Sequence, residues 1–305
     1  VVFGLLNVNK PSGPTSHDIV AGIRRGTGER RVGHAGTLDP LAEGVLVLAL
    51  GPATRLAEYL TASRKSYLAD VVLGVSTDTY DAQGQVVEQR PLPPDLSRDV
   101  VETALHAFRG PVEQVPPVYS AIKVGGRSAH ARARAGEEVT LKPRLVTIYD
   151  LQTLSFEPPH VGLAVTCSPG TYVRSLAHDL GRALGCGAML SALTRTASGH
   201  FRLEDAADWE ALQSAFEDDS WRDYLLPPDL ALDGVPRVVL DRDGVEHVRH
   251  GRPVPAGEVV AGLGRAYLSD GRFVAVLSGD PARGVWHPKK VFAAVLTGEP
   301  SASTG

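Results

Sequence analysis

The stretch Gly33-His34-Ala35-Gly36-Thr37-Leu38-Asp39-Pro40-Leu41-Ala42-Glu43-Gly44 constrains the fold more than any other. Its three glycines and one proline impose tight turns and permit close backbone approach. Pro40 biases Asp39 away from helical backbone, so this carboxylate belongs on a defined turn. Residues 45–50, all apolar, follow at once and read as a buried element anchoring the turn from behind. An isolated Asp-Pro pair is usually only a cap or turn. Here His34, Thr37 and Asp39 sit among small spacers, and Arg24, Arg25, Arg30 and Arg31 precede them. A charge run is more often a solvated face, but beside this loop it reads as a set of phosphate contacts.

A chain of 305 residues can bury a sizeable core and accommodate two domains. The formal net charge of -4 argues against a protein that binds nucleic acid over its whole surface. It leaves room for a local basic patch, and residues 123–144 carry one: six Lys or Arg against two Glu. Conversely, residues 204–223 hold eight acids and one arginine, and are expected to lie away from any phosphate. Cys167 and Cys186 are too few for a disulfide framework or a four-cysteine zinc site and read as buried thiols. The motifs Gly-x-Gly-x-x-Gly, Walker A and His-Glu-x-x-His are absent, so neither cofactor nor metal is expected. No apolar stretch reaches transmembrane length, and the first residues lack the basic flank of a signal peptide. A cytoplasmic protein without membrane contact is the expectation.

Along the chain, residues 3–8 read as a strand. Thr15 or Ser16 then caps a helix carrying Ile19, Val20 and Ile23. Lys10, in the turn between them, reads as a phosphate contact or a solvated residue. Residues 53–60 lean helical. Residues 66–74 alternate as a strand with Tyr67, Ala69, Val71 and Leu73 on one face. Residues 97–108 form an amphipathic helix, and residues 125–136 lean helical. Residues 144–151 and 161–167 are strands, and 173–184 a helix with Arg174 near its N-terminus. There the macrodipole disfavours a cation, which suggests a carboxylate partner. Short strands are expected at 238–240, 259–263, 273–277 and 291–295.

Several segments together resemble the TruB-type pseudouridine synthases over roughly Leu6 to Leu226. The glycine-rich stretch is similar to that family's signature, with Ala35 where threonine is usual; Asp39 matches the catalytic aspartate. Lys65-Ser66-Tyr67 resembles a Lys-x-Tyr motif whose tyrosine lines the active site. Thr77 to Gly84 resembles a cleft-shaping turn, with Asp81 the matching acid. Pro116-Pro117-Val118-Tyr119-Ser120-Ala121-Ile122-Lys123 looks like the family's stiff platform. Arg174 matches the arginine that pairs with the aspartate, and Leu193 the apolar wall of a uracil pocket.

The resemblance implies an α/β protein of the α+β type. A mixed, largely antiparallel central sheet flanked by helices is followed by a small C-terminal β-rich, PUA-like domain. Residues 1–230 would form the catalytic domain, with a basic insertion at about 123–144, and residues 231–305 an RNA-binding domain. The implied activity is isomerisation of uridine 55 in the tRNA T loop, by base flipping and without cofactor. Asp39, Tyr67 and Arg174 would be catalytic. Substrate contacts would come from His34, Leu193, Lys10, Asp81, Tyr119, Lys123, Arg132 and Arg134. A monomer that also contacts the acceptor arm and needs no protein partner is expected. Two other readings stand beside it: a glycosidase, which usually needs two opposed carboxylates, and a non-catalytic protein that binds or folds RNA.

Overall fold

The computed structural model describes residues 2–120, 122–124, 126–129, 132, 135–137 and 139–292. Strand β1 (Gly4–Lys10) leads into helix α1 (Ser16–Thr27), and Thr15 closes a capping box with Asp18. A short β2 (Val32–His34) enters the glycine-rich loop and β3 (Glu43–Leu50) leaves it. Helix α2 (Ala57–Thr61) precedes β4 (Lys65–Leu73). A hairpin of β5 (Val75–Thr77) and β6 (Val86–Gln89), helix α3 (Arg98–His106) and β7 (Gly110–Gln114) follow. Next come the hairpin β8 (Lys123–Val124) and β9 (Arg127–Ser128), then the long strands β10 (Arg144–Glu157) and β11 (His160–Cys167). Helix α4 (Val173–Ala183), β12 (Ala188–Ser198), β13 (Phe201–Arg202), β14 (Ala207–Asp208) and α5 (Trp209–Ala215) complete the first unit. The second comprises β15 (Arg237–Val239), α6 (Arg242–Arg249), β16 (Gly262–Tyr267), β17 (Phe273–Asp280) and β18 (Val285–Val291).

Ten strands form the central sheet, in the order β14-β1-β3-β12-β4-β11-β10-β7, with β2 on β3 and β13 on β12. Only β1–β14 and β3–β12 pair in parallel, so the sheet is mixed and largely antiparallel. The apolar run 45–50 forms the body of β3 because that strand is buried on both faces. Leu46, Leu48 and Leu50 meet Ile19 and Ile23 of α1 in one core. Val45, Val47 and Ala49 meet Phe273, Val276 and Phe292 of the C-terminal unit in another. That unit also has its own core around Trp286 and Val274, and Lys290 bonds the carbonyl of Arg55 and pairs with Glu58. Lys290 therefore staples the two units together.

Several elements differ from the sequence reading, each for a physical reason. Strand β12 breaks its alternation at two bulges, between Leu190 and Ala192 and between Arg195 and Ala197. The period-2 signal is lost there, and the central strand of the sheet was not anticipated. The segment from Gly125, read as helix-leaning, opens on the β8–β9 hairpin, and its described residues Ala129 and Arg132 are helical. Val259 and Val260 pack on the C-terminal core without pairing, and the strand begins at Gly262. Strand β18 ends at Val291, where the reading had a strand begin; residues 293–295 of that reading lie outside the described residues. Pro288 masks β18 in the sequence and is tolerated because the strand lies at a sheet edge. The acidic segment 204–223 contains β14, at the far edge of the sheet from β10 and β7.

Gly44 joins the loop to β3 where β3 and β12 touch. Its φ is +96°, and a Cβ would stand 2.4 Å from the Arg195 carbonyl oxygen. Gly44→Ala is therefore expected to destabilise the fold by about 3 kcal/mol, combining backbone strain with overpacking. Denaturant unfolding measures this; a loss within error of zero would mean that the contact relaxes freely.

Candidate active site

The Asp39 turn is clamped from the segment before α1. The Ser16 hydroxyl accepts from the Leu38 N–H at 2.9 Å and donates to the Leu38 carbonyl at 3.0 Å. The Gly13 N–H donates to the Pro40 carbonyl at 2.8 Å, and the Ser12 hydroxyl to the Leu41 carbonyl at 3.1 Å. The segment 12–16, which reads from sequence as a strand-to-helix connection, thus fixes the carboxylate-bearing loop. Lys10 differs from its reading. It is fully buried and donates to the Pro11 carbonyl at 2.8 Å, so it is neither solvated nor presented to a phosphate. Burial pushes its pKa down to about 8, against the attraction of Asp39 and Glu43.

Arg174 gathers the site. Its Nε lies 2.9 Å from Asp39 and its Nη1 3.5 Å from Asp81. Nη1 also donates to the Thr79 carbonyl at 3.0 Å and Nη2 to the Tyr119 carbonyl at 3.1 Å. The arginine stands at the start of α4, whose dipole opposes a cation, so the two carboxylates offset both the dipole and the lost hydration. The approach to α4 is fixed by Gln114, which accepts from the Tyr172 N–H and donates to its carbonyl. Farther along α4, a Cβ on Gly181 would stand 2.1 Å from the Ala188 nitrogen, so only glycine lets the helix lie this close to β12.

Asp81 is buried and held by the Thr79 hydroxyl at 2.6 Å and the Gln83 N–H at 3.0 Å. Asp39 is 35 % exposed at the mouth of a cleft of about 270 Å³. Protein encloses its other sides, and this burial raises its pKa above the ordinary carboxylate value. Asp81 adds to the rise, while Arg174 and Lys10 oppose it. Tyr67 and Leu193 line the same cleft from adjacent strands β4 and β12. Burial raises the Tyr67 pKa, which the nearby Arg195 guanidinium opposes.

The other expected site residues are more dispersed. His34 ends β2 with its ring edge-on to His17, centroids 6.0 Å apart. Burial lowers its pKa, aided by His17 and Arg195. Tyr119 enters through its carbonyl on Arg174. Arg132 pairs with Glu137 at 2.7 Å, and Arg127 shares that acid at 2.8 Å. Arg134 and the Lys123 side chain lie outside the described residues. Two buried cations also line the cleft: Lys65, read from sequence only as part of the Lys-x-Tyr motif, and Arg195, read as a structural support or an RNA contact. The signal was present: Lys65 lies two residues before Tyr67 and Arg195 two after Leu193, which puts each on the cleft face of its strand. Among the described residues no group of three or more His, Cys, Asp or Glu is placed to hold a metal, and no helix is long and apolar enough to cross a membrane.

A raised folded-state pKa at Asp39 means that its favourable contribution is present below the ordinary carboxylate value and is lost as pH rises through the folded value. At neutral pH the ionised group therefore costs stability. Asp39→Asn is expected to leave the unfolding midpoint unchanged or raised at pH 7. Arg174→Gln should lower stability by about 3 kcal/mol, because two carboxylates then face each other without a cation. Thermal and denaturant unfolding of both variants check this; a marked loss in Asp39→Asn would contradict it.

Residues 24–173 match the TruB family pseudouridylate synthase N-terminal domain, and residues 174–233 the tRNA pseudouridylate synthase B C-terminal domain. The tRNA pseudouridine synthase B of Dehalococcoides mccartyi is 41% identical over 290 residues, covering 95% of this chain and 96% of the relative. That of Symbiobacterium thermophilum is 49% identical over 253 residues, 82% of each chain. Among solved structures, an H/ACA RNP bound to a substrate RNA containing 2'-deoxyuridine aligns with a TM-score of 0.72 at 27% identity, covering 95% of this chain and 85% of that one. A Cbf5-Nop10-Gar1 complex gives the same TM-score at 28% identity, with 95% and 84% coverage. The chain belongs to the TruB family of pseudouridylate synthases.

Proposed function

We propose that this protein isomerises uridine 55 in the T loop of tRNA to pseudouridine, with Asp39, Tyr67 and Arg174 as the reacting and orienting groups. The observation that carries the reading is the buried guanidinium holding the Asp39 carboxylate at the mouth of a cleft walled by Tyr67 and Leu193. A base stacked inside a folded loop cannot reach such a group, so the nucleotide must be flipped into the cleft. Asp39 then acts as nucleophile or base on the sugar or base. Arg174 fixes its geometry and favours its ionised form. Tyr67 packs against the base and offers its hydroxyl for hydrogen bonding or proton transfer. Leu193 keeps the wall apolar, which holds a detached uracil away from bulk water.

The wider RNA contacts in this reading follow charge. Residues 1–230 carry the reaction, the basic segment 123–144 grips the T stem-loop, and residues 231–305 lie against the acceptor arm of a tRNA bound by one monomer. The acidic segment 204–223 contributes nothing to the cleft lining, which suits a phosphate-bearing substrate. A glycosidase finds less support: the second carboxylate beside Asp39 is Asp81, and its oxygens are engaged by Thr79, Gln83 and Arg174.

Incubating the protein with unmodified tRNA and mapping pseudouridine by position tests the reading. A single new pseudouridine at position 55 is expected; modification elsewhere, or none, overturns it. In single turnover, Asp39→Asn should lose about 1,000-fold or more in rate while binding tRNA nearly as well, because affinity is spread over phosphate contacts. Arg174→Lys should lose about 100-fold, since a point charge cannot hold the carboxylate as the planar fork does. Substantial conversion by Asp39→Asn would leave a binding or folding role for the protein.

A further inference from the structure

Two of the cations lining the cleft have no carboxylate partner among the described residues. Arg195 is 1% exposed and Lys65 5%. Arg195 donates from Nε to the Val45 carbonyl at 2.6 Å and from Nη2 to the Gly36 carbonyl at 3.1 Å. The Lys65 ammonium sits among the carbonyls of Leu60, Thr61 and Ser63 and the Ser63 hydroxyl, at 2.7 to 3.2 Å. The ionisable groups acting on Lys65 are Arg195 and the Cys167 thiol, neither of them a carboxylate. The Asp39 carboxylate, in the same cleft, is paired with Arg174. Carbonyl dipoles satisfy the N–H groups but do not cancel the two charges. Burying an unpaired cation is costly, so a fold that keeps two beside one cleft implies negative charge arriving there.

Resting on the reading above, we propose that Arg195 and Lys65 stabilise the negative charge that develops on the uracil ring when it leaves the sugar. The bound nucleotide's base is neutral and gains little from them. When the C1′–N1 bond breaks, its electron pair goes to N1, and the charge spreads by conjugation to O2 and O4. The electron-poor sugar carbon is satisfied by the Asp39 carboxylate, through bonding or through loss of the C2′ proton to it. The rotated ring then bonds through C5 to C1′ as the Asp39–C1′ bond breaks or as C2′ takes its proton back from Asp39; C5 loses its proton and N1 regains one, so the reaction is an isomerisation. A positive field fixed in advance stabilises the charged stage more than the neutral ones at either end, which is what lowers a barrier. Arg195 lies two residues beyond Leu193 and opposite Tyr67 on β4, on the wall against which the ring is held. Lys65, with its donors engaged by carbonyls and a hydroxyl, acts through its charge alone.

The test compares Arg195→Gln with the wild type in single-turnover cleavage of RNA bearing uridine or 5-fluorouridine at the target position. Fluorine withdraws electrons and makes the departing ring a weaker base, so it needs less help from the protein. The variant is expected to lose about 100-fold on uridine but only about 10-fold on 5-fluorouridine. Equal losses on both, with RNA binding and unfolding unchanged, would make Arg195 a scaffold for the Gly36 loop and overturn the proposal. If Arg195→Gln does not fold, the wild type decides. At about pH 8, 6-azauracil matches uracil in shape and is mostly ionised, so it should inhibit about 10-fold more strongly. Equal inhibition by the two bases, or none by either, counts against the proposal. Absence of pseudouridine formation by the wild type would instead remove the underlying reading.

Discussion

The structure depends on one buried guanidinium. Arg174 collects acceptors from the Asp39 loop, the turn at Thr79 and Asp81, and the Tyr119 segment, while its own backbone starts α4. These segments are far apart in the chain. Placing a cation at a helix N-terminus and removing it from water is unfavourable on both counts. It persists because Nη1 and Nη2 each donate to a backbone carbonyl and because two carboxylates supply more negative charge than one. That excess has a chemical consequence. In the proposed reaction, when Asp39 shares its electrons with a substrate, Asp81 would still neutralise the arginine, so the site would not be left with an unpaired cation.

The strand order explains why the cleft opens where it does. β3 and β12 share only two residue pairs, Glu43 with Thr194 and Gly44 with Arg195, whereas β12 follows β4 along its length. The loop before β3 therefore stands beside the cleft faces of β4 and β12, and Asp39 comes to Tyr67 and Leu193 without a long connection. Behind it, β3 is packed on both faces, by α1 on one side and the C-terminal unit on the other. A loop rooted in a doubly buried strand is held more firmly than one on a sheet edge.

Much of this was legible in the sequence because it is local. The Thr15 cap, the α1 face, the alternating β4 and the doubly apolar β3 depend on residue spacing and came out as expected. The central role of β12 was hidden by its two bulges, and β18 by Pro288 at a permitted edge. Side-chain fates that depend on distant partners were the least readable. Lys10 looks like a surface phosphate ligand beside Pro11, yet tertiary packing buries it. The Asp39–Arg174 proximity was expected from resemblance; spacing offered only the anomaly of a cation at a helix start.

Charge in this protein is sorted by place, and that reconciles a net charge of -4 with an RNA-modifying role. The acids of residues 204–223 surround β14, at the end of the sheet opposite β7. Within the basic segment, Arg127 and Arg132 share Glu137, so their local charge is moderated, and a phosphate would have to displace or join that acid. The least compensated charge is internal, on Arg195 and Lys65. Charges at a solvent-facing patch are screened within about 10 Å at ordinary salt, whereas charges buried beside a small cleft act at close range through protein. Under the proposed reaction, the exterior field would govern how RNA approaches, and the interior field which form of the base the cleft favours.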